Sequence, residues 1–116
     1  MARRYSVVVW WGTSVELRSA FARLLRMSEL NPDGLRLAEN SLDQMRDHWR
    51  EVRPDDALRS EAERLLTRFP LRVADALQLA AAMTWAMDRP QGRAFLSGDA
   101  VLLEAAQRLG FEAIEA

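Results

Sequence analysis

Residues 71–82 read Leu71-Arg72-Val73-Ala74-Asp75-Ala76-Leu77-Gln78-Leu79-Ala80-Ala81-Ala82. The helical pattern continues to residue 88 and is apolar nearly all round, and a helix apolar on every side is normally buried. One carboxylate, Asp75, stands in its first turn. A buried carboxylate is costly unless it is paired or hydrogen-bonded. The positive end of the helix dipole, an arginine such as Arg72 or Arg18, or a divalent metal ion could each stabilise it.

The segments on either side set the fold class. Upstream, residues 5–11 (Tyr5-Ser6-Val7-Val8-Val9-Trp10-Trp11) form a β-branched and aromatic run stopped by Gly12, which reads as a buried strand. Thr13 to Ser28 carries Val15, Leu17, Ala20, Phe21, Leu24 and Leu25 at helical spacing. Asn31-Pro32-Asp33 opens a second helix, a cap followed by a proline that the first turn tolerates; this helix runs to about Trp49. Glu51-Val52-Arg53 reads as a short edge strand, and Pro54-Asp55-Asp56 starts a helix ending near Phe69-Pro70. Downstream, Arg89-Pro90-Gln91-Gly92 is a turn. Residues 93–97 form a strand, Asp99 to Leu109 a helix closed by Gly110, and residues 111–114 a last strand. Strands separated by helices imply parallel crossovers, so the expectation is an α/β protein with a mostly parallel sheet of about four strands and helices on both faces. In such sheets ligands bind beyond the carboxyl ends of the strands, which puts Thr13–Glu16 and Gly98-Asp99 at the functional edge.

At 116 residues the chain is long enough for one domain with a real core. It has no cysteine, which excludes a disulfide framework and a thiolate metal site. No apolar run approaches the ~20 residues of a membrane span. The run at 5–11 is too short for a signal peptide and no small-residue cleavage site follows it, so a cytosolic protein is expected. A net charge of -1 provides no global field for nucleic acid. All sixteen basic residues are arginine, a choice that suits phosphate but is more simply read as coding bias towards Ala, Arg and Leu. Gly12 and Gly34 make no phosphate-binding loop. His48 has no second ligand spaced for zinc. Trp10, Trp11, Trp49 and Trp85 lie in apolar patterns that fit core or interface better than base stacking.

Three acids remain as candidates for chemistry, each with a structural alternative. Thr13-x-x-Glu16 is the capping-box pattern, and Glu16 could instead turn into the cleft as a ligand. Asp99, between strand and helix, could be an N-cap. Asp75 could meet the helix dipole or a cation. Three hard oxygen donors with one histidine and no cysteine suit Mg²⁺ or Mn²⁺ rather than zinc. Carboxylate-held divalent ions are a common means of activating water against a phosphate.

These segments resemble the PIN-domain family, the metal-dependent ribonucleases that include bacterial VapC-type toxins. The alanine-rich helix 71–82 with its early Asp75 looks like the family's most recognisable segment. Phe95-Leu96-Ser97-Gly98-Asp99, followed by Leu102, Ala105, Ala106 and Gly110-Phe111, is similar to its C-terminal strand–acid–helix–strand block. Val7-Val8-Val9-Trp10 and then Thr13 to Ala20 look like the segment that supplies an inner glutamate. The resemblance spans nearly the whole chain, 1–116, as a single PIN-like domain with a three-layer α/β/α arrangement. It implies a toxin–antitoxin type endoribonuclease in which Glu16, Asp75 and Asp99 hold Mg²⁺ or Mn²⁺ for hydrolysis of an RNA phosphodiester. Ser97, Arg72 and Thr13 are the implied substrate contacts; a solvated first-turn charge is the simpler role for Arg72.

The family's first strand, with its terminal aspartate, has no counterpart here, so the resemblance implies a domain lacking that strand and one ligand. This opens a second expectation: a non-catalytic PIN-like module that dimerises or binds an antitoxin-like partner. The strand at 5–11 would then be covered either by pairing with 93–97 or, as the favoured expectation, by a second chain in a homodimer.

Overall fold

Helix starts follow the residue types that begin them. Asn31 Oδ1 accepts from the Gly34 amide at 2.7 Å, and Asp55 Oδ1 from the Leu58 amide at 2.7 Å. Each satisfies a donor that the first helical turn would leave unpaired. In the computed structural model residues 6–116 are described. Their elements run β1 (Val8–Trp10), α1 (Thr13–Arg26), α2 (Pro32–Arg46), β2 (Arg50–Val52), α3 (Asp56–Arg68), α4 (Val73–Trp85), β3 (Ala94–Ser97), α5 (Ala100–Leu109) and β4 (Glu112–Glu115). The chain is α/β, in the element order that the pattern implies. Tyr5, the expected first residue of the first strand, lies outside the described residues.

The strands pair differently from the expectation of one sheet of about four strands. They form two two-stranded sheets, β1 with β2 and β3 with β4. The chain correspondingly divides into two compact units, one ending at Glu51 and one running from Val52 to Ala116. Hydrogen-bonded partners are chosen by non-local contacts, which the apolar pattern of a strand does not specify.

In the first unit the Arg50 amide donates to the Val7 carbonyl at 2.9 Å. Helices α1 and α2 pack together, and Arg18 bridges them, meeting Glu39 at 3.4 Å and Asp43 at 2.9 Å. Both pairs are solvent-accessible and contribute little. Leu42 is buried, whereas α1 buries none of its side chains fully. The expected buried strand is half-buried, with Val7 and Trp11 exposed. With one hydrogen-bonded neighbour among the described residues, β1 has an edge rather than a mid-sheet position.

The second unit holds most of the buried side chains. Helix α3 packs on α4, and Leu58, Ala62 and Leu65 of the first are buried together with Ala76, Leu79 and Ala80 of the second. Alanines on α4 let the helix axes approach closely. Phe69, buried at the end of α3, lies beneath the guanidinium groups of Arg68 and Arg108, 5.2 and 5.5 Å from its ring centre. Strands β3 and β4 are parallel, with Ala94 opposite Glu112 and Ser97 opposite Glu115, and α5 is the crossover between them. Gly110 ends α5 at φ +111, a left-handed conformation that residues with a side chain avoid. A Cβ there would lie 3.0 Å from Gln91 Nε2 and 3.1 Å from Pro90 Cγ. Gly110→Ala is therefore expected to cost about 1–2 kcal/mol of stability, read as a lower midpoint in urea denaturation with an unchanged slope.

Candidate functional site

The carboxyl end of β3 leads into the loop Ser97-Gly98-Asp99. Here the sequence builds a local hydrogen-bonded turn. The Asp99 amide donates to Ser97 Oγ at 3.0 Å. Asp99 Oδ1 in turn accepts from the amides of Val101 at 2.9 Å and Leu102 at 3.1 Å. Asp99 is thus the N-cap of α5, as its position suggested, and Ser97 fixes the loop that carries it. Capping occupies one carboxylate oxygen and leaves Oδ2 without a hydrogen bond among the described residues. Asp99→Ala should lower stability by about 1 kcal/mol. Asp99→Asn keeps an acceptor of the same shape and should melt close to the parent. Thermal melts of the two variants measure the cap separately from the charge.

Beside this loop lies a shallow depression of about 350 Å³, lined by Gly98, Ala100, Glu104, Gln107 and Glu115 among others. Glu115 was not among the residues singled out from sequence. Its signal was positional: it ends a strand parallel to β3, directly opposite Ser97.

Asp75 occupies the first turn of α4, whose N-cap is Arg72 with no side-chain capping bond. The carboxylate is half-buried and makes no hydrogen bond or ion pair among the described residues. Arg18, one of its two suggested arginine partners, is engaged with Glu39 and Asp43. Arg72 is exposed and has no ion pair among the described residues. The helix dipole is the stabilisation that the structure provides for Asp75, because the uncapped amides of the first turn point towards this end.

Glu16 belongs to the other unit. The capping box with Thr13 does not form: Gly12 is the N-cap of α1 and no side chain caps the helix. The reason is local. Gly12 already has helical dihedral angles, φ -80 and ψ -1, so its carbonyl takes the Glu16 amide at 3.1 Å. Thr13 moves inside the helix, out of capping position. Gly12 also lies under the Trp10 indole, since a Cβ there would be 2.5 Å from Trp10 Nε1.

The structure therefore brings Ser97 and Asp99 into one loop, and holds Asp75 and Arg72 at a helix start in the same unit. Glu16 and Thr13 sit in the first unit. Among the described residues no group of three or more His, Cys, Asp or Glu side chains is arranged to hold a metal ion. No helix among them is long and apolar enough to cross a membrane. No protein-family model matches the chain, no curated protein matches its sequence, and no solved structure matches its fold.

Proposed function

We propose that the chain is a PIN-type module acting on RNA phosphodiesters with Mg²⁺ or Mn²⁺, and that Asp75 is the residue on which this activity turns. The observation that carries the reading is the state of Asp75. It is a half-buried carboxylate on a mostly apolar helix, without a hydrogen bond or ion pair among the described residues. Such a group retains lone pairs for a cation. Asp99 Oδ2 is a second such acceptor in the same unit. The order β3–α5–β4, with an acid at the strand end, supports the PIN-like part of the proposal; the three-layer α/β/α arrangement belongs to the proposal itself. Asp75 and Asp99 belong to one unit and Glu16 to the other, so the proposal rests first on the two aspartates of the second unit, with Glu16 as the third ligand of the same proposal. Ser97 holds the Asp99 loop, Arg72 is a cation at the head of α4, and Thr13 opens α1; contact with RNA by each belongs to the same proposal.

A second reading is favoured by the open strand edges. Among the described residues, two two-stranded sheets leave backbone donors and acceptors that another strand can take. On this reading the chain is a non-catalytic PIN-like module that dimerises or binds an antitoxin-like partner. One assay separates the two. The purified chain is incubated with a mixed single-stranded RNA in Mg²⁺, in Mn²⁺ and in EDTA. Cleavage that requires the ion supports the nuclease. RNA left intact in both ions, by a chain whose circular dichroism shows it folded, leaves the interaction module.

A further inference from the structure

Among the described residues β3 has one hydrogen-bonded neighbour, β4. The Glu112 amide donates to the Arg93 carbonyl at 2.9 Å, and the Ala116 amide to the Ser97 carbonyl at 3.0 Å. Backbone groups alternate sides along a strand. Arg93, Phe95 and Ser97 therefore face β4, while Ala94 and Leu96 direct their N–H and C=O groups to the other edge. Among the described residues no third strand takes them. Side chains alternate as well. Phe95 is half-buried against Phe111, with 5.7 Å between ring centres, whereas Leu96 is 65% exposed. From Ala94 to Ser97 the edge carries no proline and no charge, the usual means by which soluble proteins block edge pairing.

We propose that the β3 edge pairs antiparallel with β3 of a second copy of this chain, about a two-fold axis at Leu96. Two features select this register. The first is parity. An antiparallel hydrogen-bonded pair needs outward-facing groups on both strands, and Leu96 opposite Leu96 of the partner subunit satisfies this, as does Ala94 opposite Gly98 of the partner subunit. An axis falling between two residues would oppose outward groups to groups already used by β4. The second feature is charge. With Leu96 on the axis, Arg93 lies opposite Asp99 of the partner subunit. Arg93 is exposed, stacked 4.7 Å over the Trp85 ring, and makes no ion pair among the described residues. Asp99 has Oδ2 to accept it, because its cap uses Oδ1. An axis at Phe95 would place Arg93 against an uncharged serine. Gly98 has open space around its Cα, so a second backbone can approach there. The result is a four-stranded sheet, β4-β3-β3-β4, with both Leu96 side chains side by side on one face. This pairing is independent of the nuclease reading, and it gives the self-association reading a defined surface.

Sedimentation velocity of the full chain, from micromolar to near-millimolar concentration, tests it. The parent is expected to show a monomer–dimer equilibrium. Leu96→Lys should weaken the dimer about a hundredfold, because two ammonium groups meet at the axis, while the exposed position leaves circular dichroism and melting temperature unchanged. Arg93→Asp, which puts like charges together twice per dimer, should weaken it about tenfold. Leu96→Cys, in a chain without cysteine, should form an intermolecular disulfide on mild oxidation, since directly opposed residues lie within bridging distance. A parent that is monomeric throughout overturns the proposal and the self-association reading together. A dimer unaffected by Leu96→Lys overturns the β3 interface alone.

Discussion

Leu79→Ala is expected to remove about 3 kcal/mol of stability. Leu79 is fully buried, and it sits midway along α4, the helix that packs against α3. Truncation loses the transfer free energy of the removed atoms and leaves a cavity that helices held by backbone hydrogen bonds fill only partly. The neighbouring Ala76, Ala80 and Ala81 are too short to swing into the space, so a cavity term adds to the transfer term. Against the ~5–15 kcal/mol typical of whole domains, that is a large fraction. Urea denaturation followed by far-ultraviolet circular dichroism measures it. Val73→Ala is the control on the same helix: Val73 is exposed and its truncation should stay within ~0.5 kcal/mol. Equal losses for Leu79→Ala and Val73→Ala would contradict the burial pattern of α4.

Most local signals were legible in the sequence. Asn31 with Pro32, Asp55, Asp99 and Gly110 mark element ends because each residue type answers a requirement of the chain within a few residues of itself. The apolar run from Val73 gave a helix with a buried face for the same reason. Thr13 shows the limit of such reading. The Thr-x-x-Glu pattern is present, yet one residue earlier Gly12 adopts helical dihedral angles and displaces the cap. Strand pairing was not legible. Val8–Trp10 and Ala94–Ser97 each look like strands that belong inside a sheet, but nothing in either run names its neighbour. Asp99 could be placed from its own loop, because its cap bonds run to amides only two and three residues on. Arg18 illustrates the opposite case, since its carboxylate partners are 21 and 25 residues away on α2.

If the nuclease proposal holds, Asp75→Asn should reduce metal-dependent RNA cleavage at least about a hundredfold. The basis is charge. An amide is nearly isosteric with the carboxylate but offers a divalent ion a neutral oxygen in place of an anionic one, at a distance where the attraction is strongest. Loss of even an outer-shell partner of a metal ligand commonly lowers activity 10–100-fold, so removing the charge of a direct ligand belongs at or beyond the top of that range. The effect on folding runs at a different scale. The dipole interaction of a first-turn carboxylate contributes about 0.3–1 kcal/mol, and replacing Asp75 removes it, so a small fall in melting temperature is expected in EDTA. Asp99→Asn supplies the internal comparison: it preserves the cap of α5 and removes only charge. A nuclease using both aspartates should lose cleavage in each variant, with each protein still folded. Full cleavage by Asp75→Asn would end the proposal, and Asp75 would then be a carboxylate held by its helix terminus alone.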